Sequence, residues 1–409
     1  VQDQLSIYFK WLFSIAGVFI LYIVMLYEDR IKNWRGEFYS IILFSLSGMM
    51  MLASATDFIG FYVSLELVAV CLYVLAAYMT DSPLSSEAGL KYLVTGALAS
   101  GFLIYGISFI YGATGATGFA EVARALQTIE PTGYLLIGIA LTVLGLTFKI
   151  SSIPFHVWAP DVYQGAPTPV TALLAAASKS AGFVVILRIL FGALGTVKGE
   201  WAAFIALISG ITLLFGNLAA MPQKDLKRLI AYAGIGSAGY LLMGVAAASE
   251  MGAGAIMFYL LTYIFGIAGT FISIVVFHNS EGSDKIEAYA GLYKRAPLLA
   301  FSLFIGLLSI AGFPPLGGFI AKFYIFMATV KEGLWVLALI GALMAIIAMY
   351  YFLLVIKSMY LRQPTNEAPI HVDMTTRGLL YFINAVTILL GIYPGPVTDW
   401  VMSIAQGVF

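Results

Sequence analysis

The sequence predicts an all-α polytopic membrane protein with about twelve transmembrane helices. Of its 409 residues, 61% are hydrophobic and only 10% are charged, and the mean hydropathy is +0.96. This composition excludes a water-soluble domain. Apolar runs of about 20 residues recur along the chain, and each is long enough to cross a hydrocarbon core of ~30 Å as a helix. The alternating pattern of a membrane β-barrel does not occur, so each run is predicted to be helical.

The predicted spans follow one another with short connections. They cover residues 6–27, 38–55, 57–79, 87–112, 132–157, 168–194, 200–220, 224–249, 252–278, 296–331, 334–361 and 376–404. The loops are too short to hold a domain that binds a flavin, a nucleotide or an iron–sulfur cluster. The segment from Phe119 to Gln127 is predicted to be a short amphipathic helix at the surface. The chain is therefore expected to form one helical bundle.

The formal net charge is zero, but the basic residues are unevenly distributed. If the loop between spans 1 and 2 is cytoplasmic, that side collects Arg30, Lys32, Arg35, Lys91, Lys224, Lys227, Arg228, Lys285, Lys294, Arg295, Lys357, Arg362 and Arg377. The opposite loops hold only Arg124, Lys198 and Lys331. Because cytoplasmic loops are enriched in lysine and arginine, this distribution supports the span count and an even number of crossings. Both termini are then predicted to face away from the cytoplasm.

The sequence gives no sign of a metal or redox centre. The single cysteine, Cys71, lies in an apolar span and is expected to be a packed, inert thiol. The three histidines, His156, His278 and His371, are far apart and lack the spacing of metal ligands. We therefore predict no metal and no bound cofactor in this chain.

Four charged residues lie deep inside the apolar spans: Glu66, Lys149, Lys179 and Lys322. A charge near the bilayer centre costs at least ~2.5–3.5 kcal/mol on insertion scales, so such residues usually belong to an ion or proton path. The alternatives are a structural ion pair, which adds little net stability when buried, and lysines that extend to the interface. Four such residues at mid-span favour a proton path.

Two of these lysines stand beside predicted helix breaks. Pro154 follows Lys149 by five residues, and Pro314 and Pro315 precede Lys322 within a segment that also contains three glycines. Proline removes a backbone donor and clashes with the preceding turn, so a kink or an unwound segment is expected at each site. Interrupted helices at membrane depth line cavities, and transporters place ion sites at them.

The positions of the breaks predict an internal repeat. Residues 38–194 and 200–361 would each form a five-helix repeat whose fourth helix is broken and carries a lysine. An odd number of helices places the two units in opposite orientations, as in inverted repeats. Residues 1–37 would supply an N-terminal helix and a cytoplasmic loop, and residues 376–409 a C-terminal helix. Lys179, among small residues, lies between the two broken helices in sequence.

Several other polar residues have weaker predicted roles. Glu87 and Lys91 are four residues apart and are expected to pair at a helix end. His156 and Asp161 flank the first break, where they either gate proton access or cap a turn; the sequence leaves both open. Arg188, near the end of span 6, is expected to extend to the interface.

The segment around the first break carries a family resemblance. Residues 153–170 read Ile-Pro-Phe-His-Val-Trp-Ala-Pro-Asp-Val-Tyr-Gln-Gly-Ala-Pro-Thr-Pro-Val. This closely resembles the subunit N family of proton-pumping NADH:quinone oxidoreductase, respiratory complex I. The related subunits L and M and the sodium/proton antiporter subunits share a looser pattern. Further similar segments are residues 87–92, 227–232, 239–242 and 318–324.

The resemblance implies an antiporter-like fold with a line of buried charges along the membrane mid-plane. Glu66 matches the family's glutamate, Lys149 its partner lysine, Lys179 the bridging lysine and Lys322 the terminal lysine. Glu87 and Lys91 also match a pair in the family. The resemblance further implies FMN, iron–sulfur clusters, NADH and quinone in partner subunits, and neighbouring antiporter-like and small hydrophobic subunits in a bacterial plasma membrane.

Two departures from the family pattern stand out. The chain begins with Val1, without a charged leader, where the third helix of fourteen-helix relatives would begin, so about two helices are expected to be missing from the sequence. Relatives often carry a histidine in the second helix of the second repeat, where this chain reads Ala233-Gly234-Ile235-Gly236-Ser237. Ser237 is expected only to order water there.

The sequence therefore favours a proton-translocating subunit that is part of an enzyme complex and performs no redox catalysis itself. Three alternatives stay open: a subunit of a cation/proton antiporter, the ion-pumping arm of a membrane-bound hydrogenase-type complex, and a structural anchor whose charges fix helix packing.

Overall fold

The computed structural model describes residues 1–31, 34–364 and 366–407. The described chain contains sixteen helices of seven or more residues. They are α1 (Gln4–Tyr27), α2 (Arg35–Ser54), α3 (Phe58–Ala76), α4 (Pro83–Thr114), α5 (Phe119–Ala125), α6 (Gly133–Lys149), α7 (Trp158–Gly165), α8 (Thr168–Ala193), α9 (Lys198–Ala220), α10 (Leu226–Ala246), α11 (Glu250–Glu281), α12 (Pro297–Ala311), α13 (Gly317–Lys331), α14 (Trp335–Leu361), α15 (Met374–Ile392) and α16 (Gly395–Gln406).

The predicted all-α membrane fold is confirmed. Ten helices of the described chain are long and apolar enough to cross a membrane, and α6 and α12 are shorter apolar helices. The described residues form two isolated backbone bridges and no sheet. The short surface helix predicted from Phe119 is present as α5. Lys32, counted above among the cytoplasmic cations, and the last two residues of the predicted C-terminal segment lie outside the described residues.

Aspartates set the starts of two corresponding helices. Asp57 accepts hydrogen bonds from the first backbone N–H groups of α3, and Asp225 does the same for α10. Such caps satisfy donors that have no partner within the helix. Asp57 also forms an antiparallel bridge with Gly118, and Asp225 forms one with Lys285. Each bridge ties the start of a helix to the loop that follows the next long helix.

Those next helices, α4 and α11, match each other closely. Both contain 32 residues. Both end at a glycine in the left-handed region, Gly115 with φ 68° and Gly282 with φ 69°. A glycine adopts this conformation without a steric cost from Cβ and lets the helix end there. α4 and α11 are thus built to the same length and terminated in the same way.

Three helices form the centre of the bundle. Within its most apolar stretch α8 is 100% buried, α10 is 94% buried and α11 is 89% buried. α4 and α15 are only 28% and 33% buried, and large apolar side chains such as Trp11, Val18 and Ile346 are exposed on the outer helices. An apolar exterior around a packed interior suits lipid as the surrounding solvent. Polar groups within these buried stretches of α8, α10 and α11 are therefore shielded from both lipid and water.

Both predicted helix breaks are present. α6 ends at Lys149, and residues 150–157 form turns before α7 begins. Residues 312–316 separate α12 from α13. The Ile153–Pro154 and Pro314–Pro315 peptide bonds are cis, and Gly312 has φ 88°. Each break frees backbone carbonyls next to a buried lysine.

Two predicted spans differ in detail from the structure. Span 6, predicted as a regular helix, contains π-helical stretches at Leu174–Ser178 and Leu187–Ala193, and the first ends directly before Lys179. Hydrophobic patterning does not detect such wide turns, which are frequent at functional sites. Span 12, predicted as continuous to residue 404, divides into α15 and α16 because Pro394 cannot donate to a continuing helix.

The described ends of the chain lie at one end of the bundle. Val1 and Gln2 line the same cleft as Ile404 and Gly407. This arrangement is the one that an even number of crossings requires.

Candidate functional site

Lys149 is the last residue of α6, and its side chain is buried at the first break. It is 7% exposed, and its Nζ has no hydrogen-bond partner among the described residues. The centroid of the Phe148 ring lies 5.7 Å from Nζ. Glu66 attracts Lys149 electrostatically, but the two do not form a direct ion pair in the described chain. The predicted Glu66–Lys149 pair is therefore an electrostatic attraction without direct contact between the two side chains.

Glu66 lies on α3 and is half-buried. The hydroxyl of Ser100 on α4 donates a hydrogen bond to its Oε1 at 2.6 Å. Sequence analysis did not single out Ser100, because a serine in an apolar helix is common and carries no spacing signal. This bond holds the carboxylate towards α4 instead of directly against Lys149.

Lys179 lies on α8 between helices α10 and α11. It is 2% exposed. Its Nζ donates to the Gly234 carbonyl at 2.7 Å and to the Tyr263 hydroxyl at 3.3 Å, and lies 4.9 Å from the centre of the Tyr263 ring. All of these partners are neutral, so they can hold an ammonium ion without requiring a buried carboxylate.

Lys322 points back to the second break. It is 5% exposed, and its Nζ donates to the Ala311 carbonyl at 2.7 Å, at the point where α12 ends. The ring centre of Tyr240 is 4.2 Å from Nζ, a cation–π distance. Gly312 leaves room for this side chain, because a Cβ there would lie 2.8 Å from Lys322 Cδ. The predicted association of this lysine with a helix break is therefore present in the contacts.

The three lysines Lys149, Lys179 and Lys322 share two properties. None of them forms an ion pair with any described residue, and each stands at a helix break or an irregular helical turn. A buried lysine held only by carbonyls and ring faces can release its proton without leaving an unpaired buried anion. The geometry therefore suits lysines that exchange protons better than lysines that fix helix packing.

Polar side chains of α10 and α11 gather near Lys179. Ser237 donates to the Ala233 carbonyl at 3.0 Å, Tyr263 accepts from Lys179, and the rings of Tyr259 and Tyr263 stack with their centroids 6.0 Å apart. Sequence analysis named Ser237 but missed the tyrosines. Their spacing of four residues on α11 places both on one helix face, a signal that the sequence contained.

A second set of charges gathers beyond the first break, around the start of α7. Lys91 Nζ lies 2.6 Å from both Glu87 and Asp161 carboxylate oxygens, and Arg228 Nη1 lies 2.6 Å from the other oxygen of Asp161. Arg228 also donates to Gln164 at 3.1 Å. The predicted Glu87–Lys91 pair is present, as part of this larger cluster.

Asp161 therefore acts as a bridge between two cations instead of capping a turn. Burial raises the pKa of its carboxyl, but the contacts with Lys91 and Arg228 outweigh burial and hold that pKa below its ordinary value. His156 is not joined to Asp161 by any described hydrogen bond. It is buried, its ring packs 4.5 Å from that of Phe215, and its Nδ1 has no described partner.

A related cluster follows α11, and sequence analysis missed it. Asp284 lies 3.3 Å from Lys227 Nζ and 2.8 Å from His278 Nδ1, and the side chains of Asp284 and Lys227 are 9% and 7% exposed. Burial raises the pKa of Asp284, but His278 and Lys227 together hold it below its ordinary value. The sequence placed Lys227 among the loop cations. Hydrophobic periodicity does not show that the loop after α11 covers the start of α10.

Arg188 has a carboxylate partner that the sequence did not predict. Its guanidinium forms two hydrogen bonds with Asp3, at 2.9 and 2.7 Å, and donates from Nε to the Ala53 carbonyl at 2.7 Å. A fork of donors opposite a carboxylate is a strong and directional contact. Arg188 therefore fastens α8 to the start of α1 and the end of α2.

Comparison with known proteins decides the family. The model of the family described as "NADH:quinone oxidoreductase/Mrp antiporter, TM" matches residues 55–348. NADH-quinone oxidoreductase subunit N of Desulforamulus reducens is 41% identical over 404 residues, which cover 99% of this chain and 85% of that protein. The chain belongs to the subunit N family. Subunit N of Rhodospirillum rubrum is similar as well, with 42% identity over 99% of this chain and 84% of its own length.

Solved structures agree with membership of the subunit N family. A chain of respiratory complex I from Thermus thermophilus superposes with a TM-score of 0.83 at 31% identity, covering 97% of this chain and 86% of that chain. A chain of the membrane-bound sulfane sulfur reductase, an archaeal respiratory membrane complex, gives 0.88 at 28% identity over 98% and 82%. A chain of the Mrp complex from Dietzia, at 20% identity and 0.86, shares the fold alone.

Proposed function

We propose that this chain is a proton-translocating membrane subunit of an NADH:quinone oxidoreductase in a bacterial plasma membrane. One observation carries the proposal: three lysines are buried in the bundle without an ion-pair partner in the described chain, and each stands at an interrupted or irregular helix. Membership of the subunit N family supplies the redox reaction that would drive it. The chain itself would carry no redox centre.

In this proposal protons move along Glu66, Lys149, Lys179 and Lys322. A change in protonation at Glu66 alters the field at Lys149, which Glu66 attracts without touching. The new charge at Lys149 then changes the cost of keeping Lys179 charged, and Lys179 does the same to Lys322. Moving one charge against 100 mV costs ~2.3 kcal/mol, comparable to a shift of under about two pKa units. Modest coupling between neighbours is therefore sufficient.

The proposal includes two inverted five-helix repeats, residues 38–194 and 200–361. The matching lengths and glycine ends of α4 and α11, and the bridges from Asp57 and Asp225, support this division. If the two caps correspond, the position of Glu66 corresponds to Gly234, nine residues after Asp225. The second repeat would then lack the carboxylate and place there a backbone carbonyl that accepts from Lys179.

Other subunits would supply the remaining parts of the enzyme. FMN, iron–sulfur clusters, NADH and quinone would bind to partner subunits, and neighbouring antiporter-like and small hydrophobic subunits would pack against this bundle in the membrane. Electron transfer in those partners would deliver the free energy, while this chain holds and moves protons on its own side chains.

A second candidate function is the ion-pumping arm of a different respiratory membrane complex. The superposition on a chain of the sulfane sulfur reductase at a TM-score of 0.88 favours it. The same proton path would then operate with other redox partners. Reduction of quinone by NADH in membranes that contain the assembled complex separates the two functions.

The test compares inverted membrane vesicles that carry the wild type, Lys149→Ala and Lys331→Ala. Lys331 ends α13 and is an exposed lysine, so its replacement controls for loss of charge alone. After assembly of the complex is verified, NADH-driven proton uptake is measured. Loss of uptake in Lys149→Ala and retention in Lys331→Ala support the proposal. Normal uptake in assembled Lys149→Ala would refute it.

A further inference from the structure

We propose that Tyr259 and Tyr263 of α11, together with Ser237, form the hydroxyl relay that carries protons between Lys179 and Lys322. The inference rests on the function proposed above and names two tyrosines that neither the sequence patterns nor the family match assigned. Four observations about contacts and burial support it.

The first observation is the contact at Lys179. Because Lys179 Nζ donates to the Tyr263 hydroxyl oxygen at 3.3 Å, the hydrogen of that hydroxyl is free to point elsewhere. Tyr263 is 4% exposed, so bulk water does not reach it. A hydroxyl that accepts from an ammonium ion on one side can donate its own hydrogen on the other, and this is the arrangement that passes a proton on.

The second observation is a buried hydroxyl without a partner. Tyr259 is 2% exposed, and its hydroxyl forms no hydrogen bond with any described residue. Leaving such a group unpaired costs on the order of 1–3 kcal/mol, so buried hydroxyls are normally satisfied by protein or by bound water. The rings of Tyr259 and Tyr263 stack with their centroids 6.0 Å apart on one face of α11, and the Ser237 side chain interacts with both, so these groups create a polar site between apolar helices.

The third observation is the orientation of Ser237. Its hydrogen goes to the Ala233 carbonyl at 3.0 Å, so its oxygen lone pairs are available to accept. Ser237 can thus receive hydrogen bonds from the tyrosine hydroxyls or from a water held between them.

The fourth observation places Tyr259 towards Lys322. Thr262 of α11 lies 3.0 Å from the position that a Cβ on Gly317, the first residue of α13, would take. The ring of Phe258 lies 6.2 Å from that of Tyr324 on α13. α11 therefore contacts the helix that carries Lys322 on both sides of Tyr259, while Tyr263 contacts Lys179.

The relay moves one proton without changing the net charge of the tyrosines. Lys179 gives a proton to the oxygen of Tyr263 as Tyr263 releases its own hydrogen to Tyr259 or to a water between them, while Ser237, whose hydrogen stays on the Ala233 carbonyl, accepts a hydrogen bond that orients these groups. Each tyrosine hydroxyl in the relay gains one hydrogen and loses one. The last hydroxyl or water delivers the proton to neutral Lys322, which becomes the ammonium ion.

Tyr259→Phe tests the relay, with Tyr289→Phe as a matched control. Tyr289 is likewise buried with a hydroxyl that has no described partner, but it lies in the turn after α11, away from both lysines. Each variant removes a single oxygen that bonds no described residue, so both are expected to fold and assemble. NADH-driven proton uptake by assembled complex in inverted vesicles is measured in H₂O and in D₂O, beside Lys149→Ala.

We expect Tyr259→Phe to slow proton uptake about tenfold or more, the loss of a positioned proton-transfer group typically costing at least that. We also expect a larger H₂O/D₂O rate ratio than in wild type, which a purely structural defect would not produce, and we expect wild-type behaviour from Tyr289→Phe. Normal uptake in Tyr259→Phe while Lys149→Ala has lost uptake would overturn the relay and leave the proposed function intact. Normal uptake in Lys149→Ala would overturn the proposed function itself.

Discussion

Replacing Asp284 by asparagine should be one of the most destabilising charge substitutions in this bundle. The carboxylate contacts Lys227 Nζ at 3.3 Å and His278 Nδ1 at 2.8 Å, and the Asp284 and Lys227 side chains are only 9% and 7% exposed. Asparagine keeps the size and one acceptor oxygen but removes the charge. Lys227 then stays buried without a carboxylate in direct contact. Breaking a buried ion pair in this way costs about 3–5 kcal/mol.

The matched control is Asp161→Asn. Asp161 also bridges two basic side chains, but Lys91 and Arg228 are 43% and 29% exposed and are hydrated after the change. Exposed pairs contribute about 0–1 kcal/mol. The free energy of unfolding, measured by SDS titration of each purified variant in mixed micelles, should therefore fall much more for Asp284→Asn. Equal losses for the two variants would refute the argument from burial.

Three further predictions follow from the same structure. The pKa of Asp284 lies below its ordinary value, so its stabilising effect is present above about pH 4 and is lost as pH falls through the folded pKa; unfolding titrations of wild type and Asp284→Asn should converge at low pH. Lys179→Met should abolish proton uptake but change the free energy of unfolding by less than about 1.5 kcal/mol, because it leaves no described carboxylate unpaired. A loss of stability as large as that of Asp284→Asn would contradict this. Gly318→Ala should destabilise by about 1–3 kcal/mol or more, since its Cβ would lie 1.8 Å from the Ser309 carbonyl oxygen, whereas Gly378→Ala, with open space, should not; equal melting temperatures would count against it.

Much of the fold could be predicted because lipid imposes simple rules. Twenty apolar residues must form a helix in a bilayer, and proline must interrupt one, so the spans and both breaks followed from the sequence. The division of span 12 at Pro394 follows from the same rule. The sequence-based prediction missed this division because the residues on both sides are largely apolar. The π-helical turn before Lys179 has no comparable signal in the sequence; in the fold it packs against α1, α2 and α11.

The candidate site was predictable in its charges but not in its contacts. Rarity of charge at membrane depth singled out the three lysines and Glu66. Whether a lysine meets a carboxylate, a carbonyl or a ring depends on which helices pack together, so the Lys179–Tyr263 and Lys322–Tyr240 contacts required the structure. Arg188 shows the same limit, because its partner Asp3 lies far away in sequence.

The central claim is that buried lysines of this chain carry the protons, and the most direct measurement is the number of protons taken up per NADH oxidised. Assembled complex with Lys322→Met, in inverted vesicles, is compared with Lys357→Met, which alters an exposed lysine of α14 outside the proposed path. We expect uptake to fall in Lys322→Met and to be unchanged in Lys357→Met. A wild-type ratio of protons to NADH in Lys322→Met, at a normal rate of NADH oxidation, would contradict it.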